Sequence, residues 1–311
     1  MISFIVPCHN NLGGLFTCLE SLYKQDPDNS RYEIIVVLDN PPPKIGKVVE
    51  EILSSTTKFR AKPFLKEKRE GFSSAVNFGI QRADPNSKIL VLTNDDIEFV
   101  SPVVDPILAA FAEDPKIALV GAKLWFPNGS IQHAGTLWSL APDGGPYHNG
   151  YKESDRPSLN KGRDCLVTGA LLAIRASALK EIGLFDTEYK MSYEDTEYGM
   201  KAFEMGYRCV YRPSIRAIHA EGSTRRADPF EKPNAGYSRF RERWAKYASL
   251  PEYPPGNNLN RIWTVKPGDT LDHIAQVEYG DARLSHALKS ANPGVTAENL
   301  QVGTRLIVPA K

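Results

Sequence analysis

No run of apolar residues here approaches the roughly 20 that cross a bilayer. The N-terminus also lacks the basic, apolar and small-residue succession of a secretory signal. The chain therefore reads as cytoplasmic, with no transmembrane segment and at most a peripheral membrane association. Cysteine is scarce: Cys8, Cys18, Cys165 and Cys209 are the four present. They lack metal-type spacing, and Cys8 and Cys209 sit in strand-like runs, so reduced, mostly core residues are expected. An excess of one charge is missing too. The 38 Lys and Arg offset 37 Asp and Glu to leave a net charge of +1, which gives no reason to expect nucleic acid as a partner. Arg225-Arg226 and the Arg239, Arg241, Arg243 cluster are local exceptions, of the kind usually found on solvated faces.

What is present is ordinary globular material: 311 residues, 41% hydrophobic and 24% charged, enough for a sizeable core plus a second unit. The stretch that organises it is residues 89–99. Residues 89–92 are apolar without interruption, as in a strand buried on both faces. The run stops at Asn94-Asp95-Asp96, and apolar residues resume at Ile97 and Phe99. Polar groups at the carboxyl end of a buried strand are where open α/β sheets put ligands. Adjacent hard oxygens suit Mg²⁺ or Mn²⁺ held by one or two carboxylates plus substrate phosphates. A turn carrying helix-capping acids fits the tripeptide equally well.

Other segments repeat the design. Residues 2–6 form an apolar run ended by Pro7, Cys8, His9, Asn10 and Asn11, and a helical pattern through Leu15, Cys18, Leu19 and Leu22 follows. Residues 33–38 make a second buried strand that stops at Asp39-Asn40. Pro41, Pro42 and Pro43 then predict an extended turn, with a helix over 47–54. Strand, helix, strand, helix in this order predicts a parallel sheet with right-handed crossovers. Gly71 to Gly79 opens a helix reaching about Ala83, whose small residues leave amides able to meet phosphate or sugar oxygens; an ordinary capped helix is the alternative. Ser101 and Pro102 start another helix. Residues 117–126 read as a strand and 127–130 as a turn.

The irregular residues 138–162 are expected to border a site. Thr168-Gly169 interrupts an apolar run over 166–174, implying close backbone approach. A helix over 176–182 ends at Gly183. Glu194 and Asp195 fall at the start of a helix reaching about Gly206, where the macrodipole favours carboxylates and where simple capping is the common role. Two strand-like runs, 208–211 and 215–218, lead to His219, either a packing residue or a transition-metal ligand.

The order of these elements resembles the inverting family 2 glycosyltransferases, near their rhamnosyltransferase-like branch. The matching features are residues 3–10, the Asp39-Asn40 strand end, residues 71–79, and Asn94-Asp95-Asp96 at the DxD-type position. They continue with residues 121–124, 131–135, 168–170, 182–186, 193–195 and 219–223. The resemblance covers about residues 1–245. It implies a GT-A fold, an α/β, Rossmann-like mixed sheet flanked by helices. It implies a nucleotide-diphosphate sugar as donor, a glycan or lipid-linked saccharide as acceptor, and a role in bacterial cell-wall polysaccharide biosynthesis.

By the same resemblance Asp39 would hydrogen-bond the base, with Pro7 and His9 lining that pocket. Gly71, Phe72, Ala75 and Asn77, with Asn94, Asp95, Thr168 and Gly169, would bind the donor, Asp95 also supporting the metal. Asp96 would hold the divalent metal, His219 would be a further metal ligand or a phosphate contact, Asp195 would be the general base, and Glu194 would position the acceptor. Asn94 departs from the acid often found first in the triplet, and a proline run replaces the usual small residues after Asp39-Asn40.

Residues 251–258 form a Pro/Gly/Asn-rich connector. Beyond it come a strand at Trp263, helical patterns through Leu271, Ile274 and Ala275 and through Leu284, Ala287 and Leu288, and a closing strand at 306–309. Residues 262–309 resemble a LysM module, with Val265-Lys-Pro-Gly-Asp-Thr-Leu271 as the specific opening. A βααβ unit of this family implies binding of N-acetylglucosamine-containing glycan, here through Gly268, Asp269, Thr270, Asn292, Pro293 and Gly294. The expected organisation is a transferase domain over 1–250, a linker over 251–261 and the LysM domain over 262–311. Peptidoglycan lies outside the cytoplasm whereas sugar nucleotides lie inside, so the module either grips a cytosolic glycan or lipid-linked precursor or is a docking or purely structural appendage. Two further readings are a nucleotidyltransferase, against which the lack of Lys or Arg in residues 8–14 speaks, and a non-catalytic glycan-binding protein.

Overall fold

The computed structural model describes residues 1–136, 157–220, 235–244 and 261–308. The chain opens with β1 (Ile2–Cys8), α1 (Leu12–Gln25), β2 (Tyr32–Asp39), α2 (Pro43–Ser54), β3 (Ala61–Lys66), α3 (Phe72–Ile80) and β4 (Ile89–Thr93). β1 lies between β2 and β4 and runs parallel to both, and β2 also pairs parallel with β3. Every residue of β2 and β4 is buried, the condition that makes both read as unbroken apolar runs. β3 is the edge strand. It carries Pro63, which an edge tolerates and which hides the strand from the apolar pattern. The proline run differs from expectation: it opens α2, with Pro42 at the cap and Pro43 the first helical residue, where a missing N–H costs nothing.

Next come β5 (Ile97–Phe99), α4 (Val104–Glu113), β6 (Ile117–Trp125), β7 (Ile131–His133), β8 (Arg163–Asp164), β9 (Leu171–Arg175), α5 (Ala176–Ile182), α6 (Glu194–Glu204), β10 (Arg208–His219) and α7 (Ala235–Trp244). The main path of the sheet runs β3-β2-β1-β4-β9-β6-β10-β5. β9 is antiparallel to both β4 and β6, and β10 is parallel to β6 but antiparallel to β5. The sheet is therefore mixed, and the parallel reading of the strand–helix order holds only for its first part. α4 starts later than Ser101-Pro102 suggest, because its cap comes from afar: Asp26 Oδ2 accepts the Val103 amide at 2.8 Å and the Val104 amide at 3.5 Å. The two runs around Tyr211 and Ile215 are one strand, kinked by a register shift between Arg212 and Arg216 that accommodates Pro213.

The two faces of the sheet bury separate cores. Phe4, Val6, Ile34, Val36 and Val91 lie on one side, and Ile5, Ile35, Val37, Leu92 and Ile174 on the other, the period-2 alternation of a strand. All four cysteines are free and buried, as expected. A smaller cluster of Leu166, Tyr189, Met200, Phe240 and Trp244 joins α6 to α7.

The C-terminal unit is β11 (Arg261–Thr264), α8 (Leu271–Tyr279), α9 (Ser285–Ala291) and β12 (Arg305–Val308). β11 and β12 pair antiparallel over a core that includes Trp263, Val265, Ile274, Leu288 and Leu306. Among the described residues no helix is long and apolar enough to cross a membrane. Residues 138–156 of the irregular loop, Arg225-Arg226, residues 221–223 and the connector at 251–260 lie outside the described residues.

Candidate active site

The strand ends predicted to carry the chemistry are joined by a continuous series of hydrogen bonds. At the end of β2, the Asp39 carbonyl accepts from His9 Nδ1 at 2.9 Å, which ties it to the end of β1. Two residues on, Asn11 caps α1 by accepting the Gly14 amide at 3.1 Å and donates Nδ2 to Asp95 Oδ1 at 3.2 Å. Gly14 permits this approach, since a Cβ there would meet the Asp95 carbonyl at 2.6 Å. At the end of β4 the Asn94 amide donates to the Ala170 carbonyl at 3.0 Å, and beside Ala170 the Gly169 amide donates to Asp195 Oδ2 at 2.7 Å. A single rim thus runs from Asp39 past Asp95 and Asp96 to Asp195.

Asp39 is only 6% exposed and braced by Lys66 Nζ at 3.4 Å and Arg69 Nε at 3.9 Å. Burial raises its carboxyl above the usual range, with the Lys66 and Arg69 charges opposing. Pro7 is half-buried in β1 in register with Val37. Lys66 and Arg69 escaped the sequence reading because β3 itself did.

Asp95 and Asp96 have different surroundings. Burial pushes the Asp95 carboxyl up to about 7, the Asp96 charge adding to the effect and bonds from Cys8 and Asn11 opposing it. Asp96 faces His219, with Oδ1 3.1 Å from Nε2. The other imidazole nitrogen, Nδ1, is 2.7 Å from Gln132 Oε1, while Gln132 Nε2 donates to the His219 carbonyl at 3.4 Å. An amide oxygen can only accept, so Nδ1 donates to Gln132, and Nε2 is turned toward Asp96 and toward Asn94 Nδ2 at 3.2 Å. An imidazole nitrogen and a carboxylate oxygen are both donor types that divalent ions accept. The pair fits a divalent ion that would complete its shell with phosphate oxygens and water. Among the described residues no group of three or more His, Cys, Asp or Glu gathers as a metal cage. Gln132 lay within a motif matched by resemblance, but its role becomes visible only through the β6–β7 pairing.

Around α3 the expected donor contacts divide. Gly71, at φ +105°, lets the chain pass Lys190, whose carbonyl a Cβ would meet at 2.6 Å. The Phe72 amide donates to that same carbonyl at 2.8 Å. Phe72 is half-buried beside Gly169. Ala75 is 1% exposed in the core and so cannot reach a donor. Asn77 differs from expectation as well: its amide donates to and accepts from the backbone of Phe185, at 2.8 and 3.0 Å, and so fixes the segment leading to α6. Thr168 Oγ1 accepts the Ala170 amide at 3.3 Å.

At the head of α6, Glu194 is buried and Asp195 half-exposed. Asp195 Oδ1 accepts from the Thr196 amide and hydroxyl at 2.6 and 3.1 Å. The residues just before, Ser192 and Tyr193, are both left-handed, at φ 71° and 69°, a costly conformation for side chains of this size.

In the C-terminal unit, Asp269 is a scaffold rather than an open ligand contact. Its Oδ2 accepts Trp263 Nε1 at 2.7 Å and the Lys266 amide at 2.9 Å, and its Oδ1 lies 3.1 Å from His273 Nδ1. Thr270 caps α8 through the His273 amide at 3.0 Å, and Asn292 Nδ2 donates to the Leu288 carbonyl at 2.8 Å. Gly268 and Gly294 are exposed at positive φ, and Pro293 is exposed beside the latter.

Residues 3–183 match the model of glycosyl transferase family 2, more than half of the chain. The chain belongs to that family. Residues 263–309 match the LysM domain. The chain is 28% identical over 278 residues to the uncharacterized protein y4gI of Sinorhizobium fredii, covering 84% of this chain and 29% of that protein. It is 28% identical over 262 residues to the O-antigen biosynthesis protein RfbC of Myxococcus xanthus, covering 80% and 19%. An N-acetylglucosaminyl-diphospho-decaprenol L-rhamnosyltransferase of Mycobacterium tuberculosis is 26% identical over 157 residues, covering 45% and 49%. The chain therefore spans less than a third of the length of the first two relatives. Among solved structures, GalNAc-T7 with UDP, GalNAc and Mn²⁺ superposes with a TM-score of 0.65 at 19% identity, covering 80% of this chain and 49% of that one. The Pyrobaculum calidifontis mannosyltransferase with GDP-Man and Mn²⁺ gives 0.55 at 18% identity, covering 96% and 77%. The fold is thus the GT-A fold of glycosyltransferases, as the order of motifs implied.

Proposed function

We propose that this family 2 chain transfers a sugar, with inversion, from a nucleotide-diphosphate sugar to a hydroxyl of a glycan or lipid-linked saccharide. The observation that carries the reading is the rim linking Asp39, Asp96 with His219, and Asp195. Asp39, buried and acceptor-only, takes the donor's base. Asp96 and His219 would hold a divalent ion, which would offset the negative charge of the departing diphosphate. Asp195 removes the proton from the acceptor hydroxyl as that oxygen attacks the anomeric carbon, because a sugar hydroxyl is a weak nucleophile. The Gly169 amide fixes the carboxylate for this task, and Glu194 orients the acceptor.

Sugar nucleotides place the reaction in the cytoplasm. The rhamnosyltransferase relative's name supports a lipid-linked acceptor. The LysM unit contributes glycan binding through Gly268, Pro293 and Gly294, with Asp269, Thr270 and Asn292 shaping the loops.

The test is hydrolysis and transfer with UDP-, GDP- and dTDP-sugars, with and without Mn²⁺, followed by NMR of the anomeric product. Turnover that needs the metal and inverts the anomeric centre is expected. Retention of configuration, or no turnover with any donor, would sink the proposal.

A further inference from the structure

Two consecutive left-handed residues stand immediately before Glu194 and Asp195, and something must hold them there. The first bond of α6, from the Glu197 amide to the Tyr193 carbonyl at 2.9 Å, closes the helix after the turn. α7 reaches the turn directly. Gly236 lies so close that a Cβ on it would meet the Ser192 carbonyl at 2.5 Å and Tyr193 Cδ2 at 3.4 Å. The Tyr193 ring packs on Phe240 and Tyr237, with centroids 5.4 and 5.7 Å apart.

The same helix is tied to the flanks of the turn by charge. Arg239 Nη2 is 2.9 Å from Asp186 Oδ2, and Arg243 Nη1 is 3.3 Å from both Asp186 Oδ2 and Glu197 Oε1. Glu197 is fully buried two residues beyond Asp195. The Arg cluster is therefore more than a solvated face: Arg239 and Arg243 bracket the segment from 186 to 197.

We infer that α7 is a positioning element for catalysis, with Gly236, Arg243 and Glu197 as positioning residues that hold the Ser192–Tyr193 turn left-handed and so aim Asp195 at the acceptor. None of the three touches the reacting atoms. Without α7 the turn relaxes toward right-handed or extended backbone, which α6 tolerates as a helix but which swings its first residues away from Gly169. Misplacement by about 1 Å can cost about 100-fold in rate.

The inference rests on Asp195 being the base, so the experiment separates the two. Using the sugar nucleotide that the wild-type chain turns over, kcat and donor KM are measured for G236A, E197Q, R243Q and R243K beside D195N, and affinity for the parent nucleoside diphosphate with Mn²⁺ is measured by calorimetry. Expected are a tenfold or larger fall in kcat for G236A, E197Q and R243Q, nucleotide affinity within twofold of wild type, and substantial recovery in R243K. Ser238→Ala, on the exposed side of α7, should match wild type. E197Q is nearly isosteric and keeps the test decisive if R243Q does not fold. Unchanged kcat in G236A and E197Q, or a loss that only tracks the unfolded fraction, overturns the positioning role. Full activity in D195N overturns the base assignment instead.

Discussion

His219 presents Nε2 to Asp96 Oδ1 at 3.1 Å, and its orientation is set by Gln132 on the far side of the ring. In the proposed metal site, these two ligand atoms, one borderline and one hard, would be held in place before an ion arrives. The carbonyl of Asp96 in turn accepts the Ala220 amide at 3.1 Å, so the ends of β4 and β10 cannot drift apart without breaking the pair.

Replacing Gln132 should therefore weaken metal binding without removing a ligand. In Gln132→Leu the Nδ1 proton loses its acceptor and the ring is free to flip or change tautomer. Outer-sphere partners of this kind are worth about 10- to 100-fold in metal affinity. Titration of Mn²⁺ against nucleotide binding should show a loss of that order, with nucleotide affinity at saturating metal near wild type. An unchanged Mn²⁺ requirement would remove His219 from the metal site.

Asp195→Asn keeps an acceptor oxygen for the Gly169 amide but cannot take a proton. Transfer should drop by about 100- to 10,000-fold, the usual contribution of a positioned base, while donor KM stays close to wild type. An active variant would mean that another group accepts the proton.

Much of this was legible in the sequence because β2 and β4 are buried on both faces and stop abruptly at acids, so strand and site are marked by the same change of polarity. Asp39 and Asp96 could be named for that reason, aided by family resemblance, whereas Asp195, at the head of α6, is marked by the resemblance alone. The rest depends on pairings between distant segments. Lys66 ends an edge strand disguised by Pro63, and Arg69 lies just beyond it. Gln132, on β7, acts through its side-chain bonds to His219 at the end of β10. Asn77 reads like a ligand-facing amide, yet it binds the backbone of Phe185, 108 residues away. Ala75 reads like a small helix-start residue but faces the core, because α3 presents that side to β1 and β2. The left-handed Ser192–Tyr193 turn has no composition cue, since neither residue is glycine.

His133 offers a pH test that is independent of the reaction. It is 2% exposed, neither ring nitrogen has a hydrogen-bond partner among the described residues, and burial, with the Arg163 and His219 charges, lowers its pKa to about 3. The unfolded chain takes up the proton near pH 6.5 while the folded chain refuses it. Stability is thus full above that value and falls as the pH drops toward 3, by up to about 1.4 kcal/mol per pH unit for this one group. Denaturant unfolding at pH 7 and pH 5 should show a loss in the wild type that is about 2 kcal/mol larger than in His133→Leu. Equal losses in the two proteins would mean that His133 is already protonated when folded.

Asp269 tests the C-terminal unit and the division of the chain together. Its carboxylate joins the first strand to the first helix of the LysM domain: Trp263 Nε1, the Lys266 amide and His273 Nδ1 all converge on it. Asp269→Ala leaves the indole N–H of a residue only 8% exposed without its acceptor, at a cost of about 1–3 kcal/mol. A module of this size draws only about 3–5 kcal/mol from its core, so most of its stability should go. The main sheet shares none of these bonds. Calorimetry of the full chain should then show one transition lowered or lost and the other unmoved, with donor hydrolysis intact. Removal of residues 251–311 should likewise leave donor hydrolysis intact while weakening use of polymeric acceptors. If both transitions shift together in Asp269→Ala, or the shortened chain fails to fold, the two units are one cooperative body and the glycan-binding role of the second loses its structural independence.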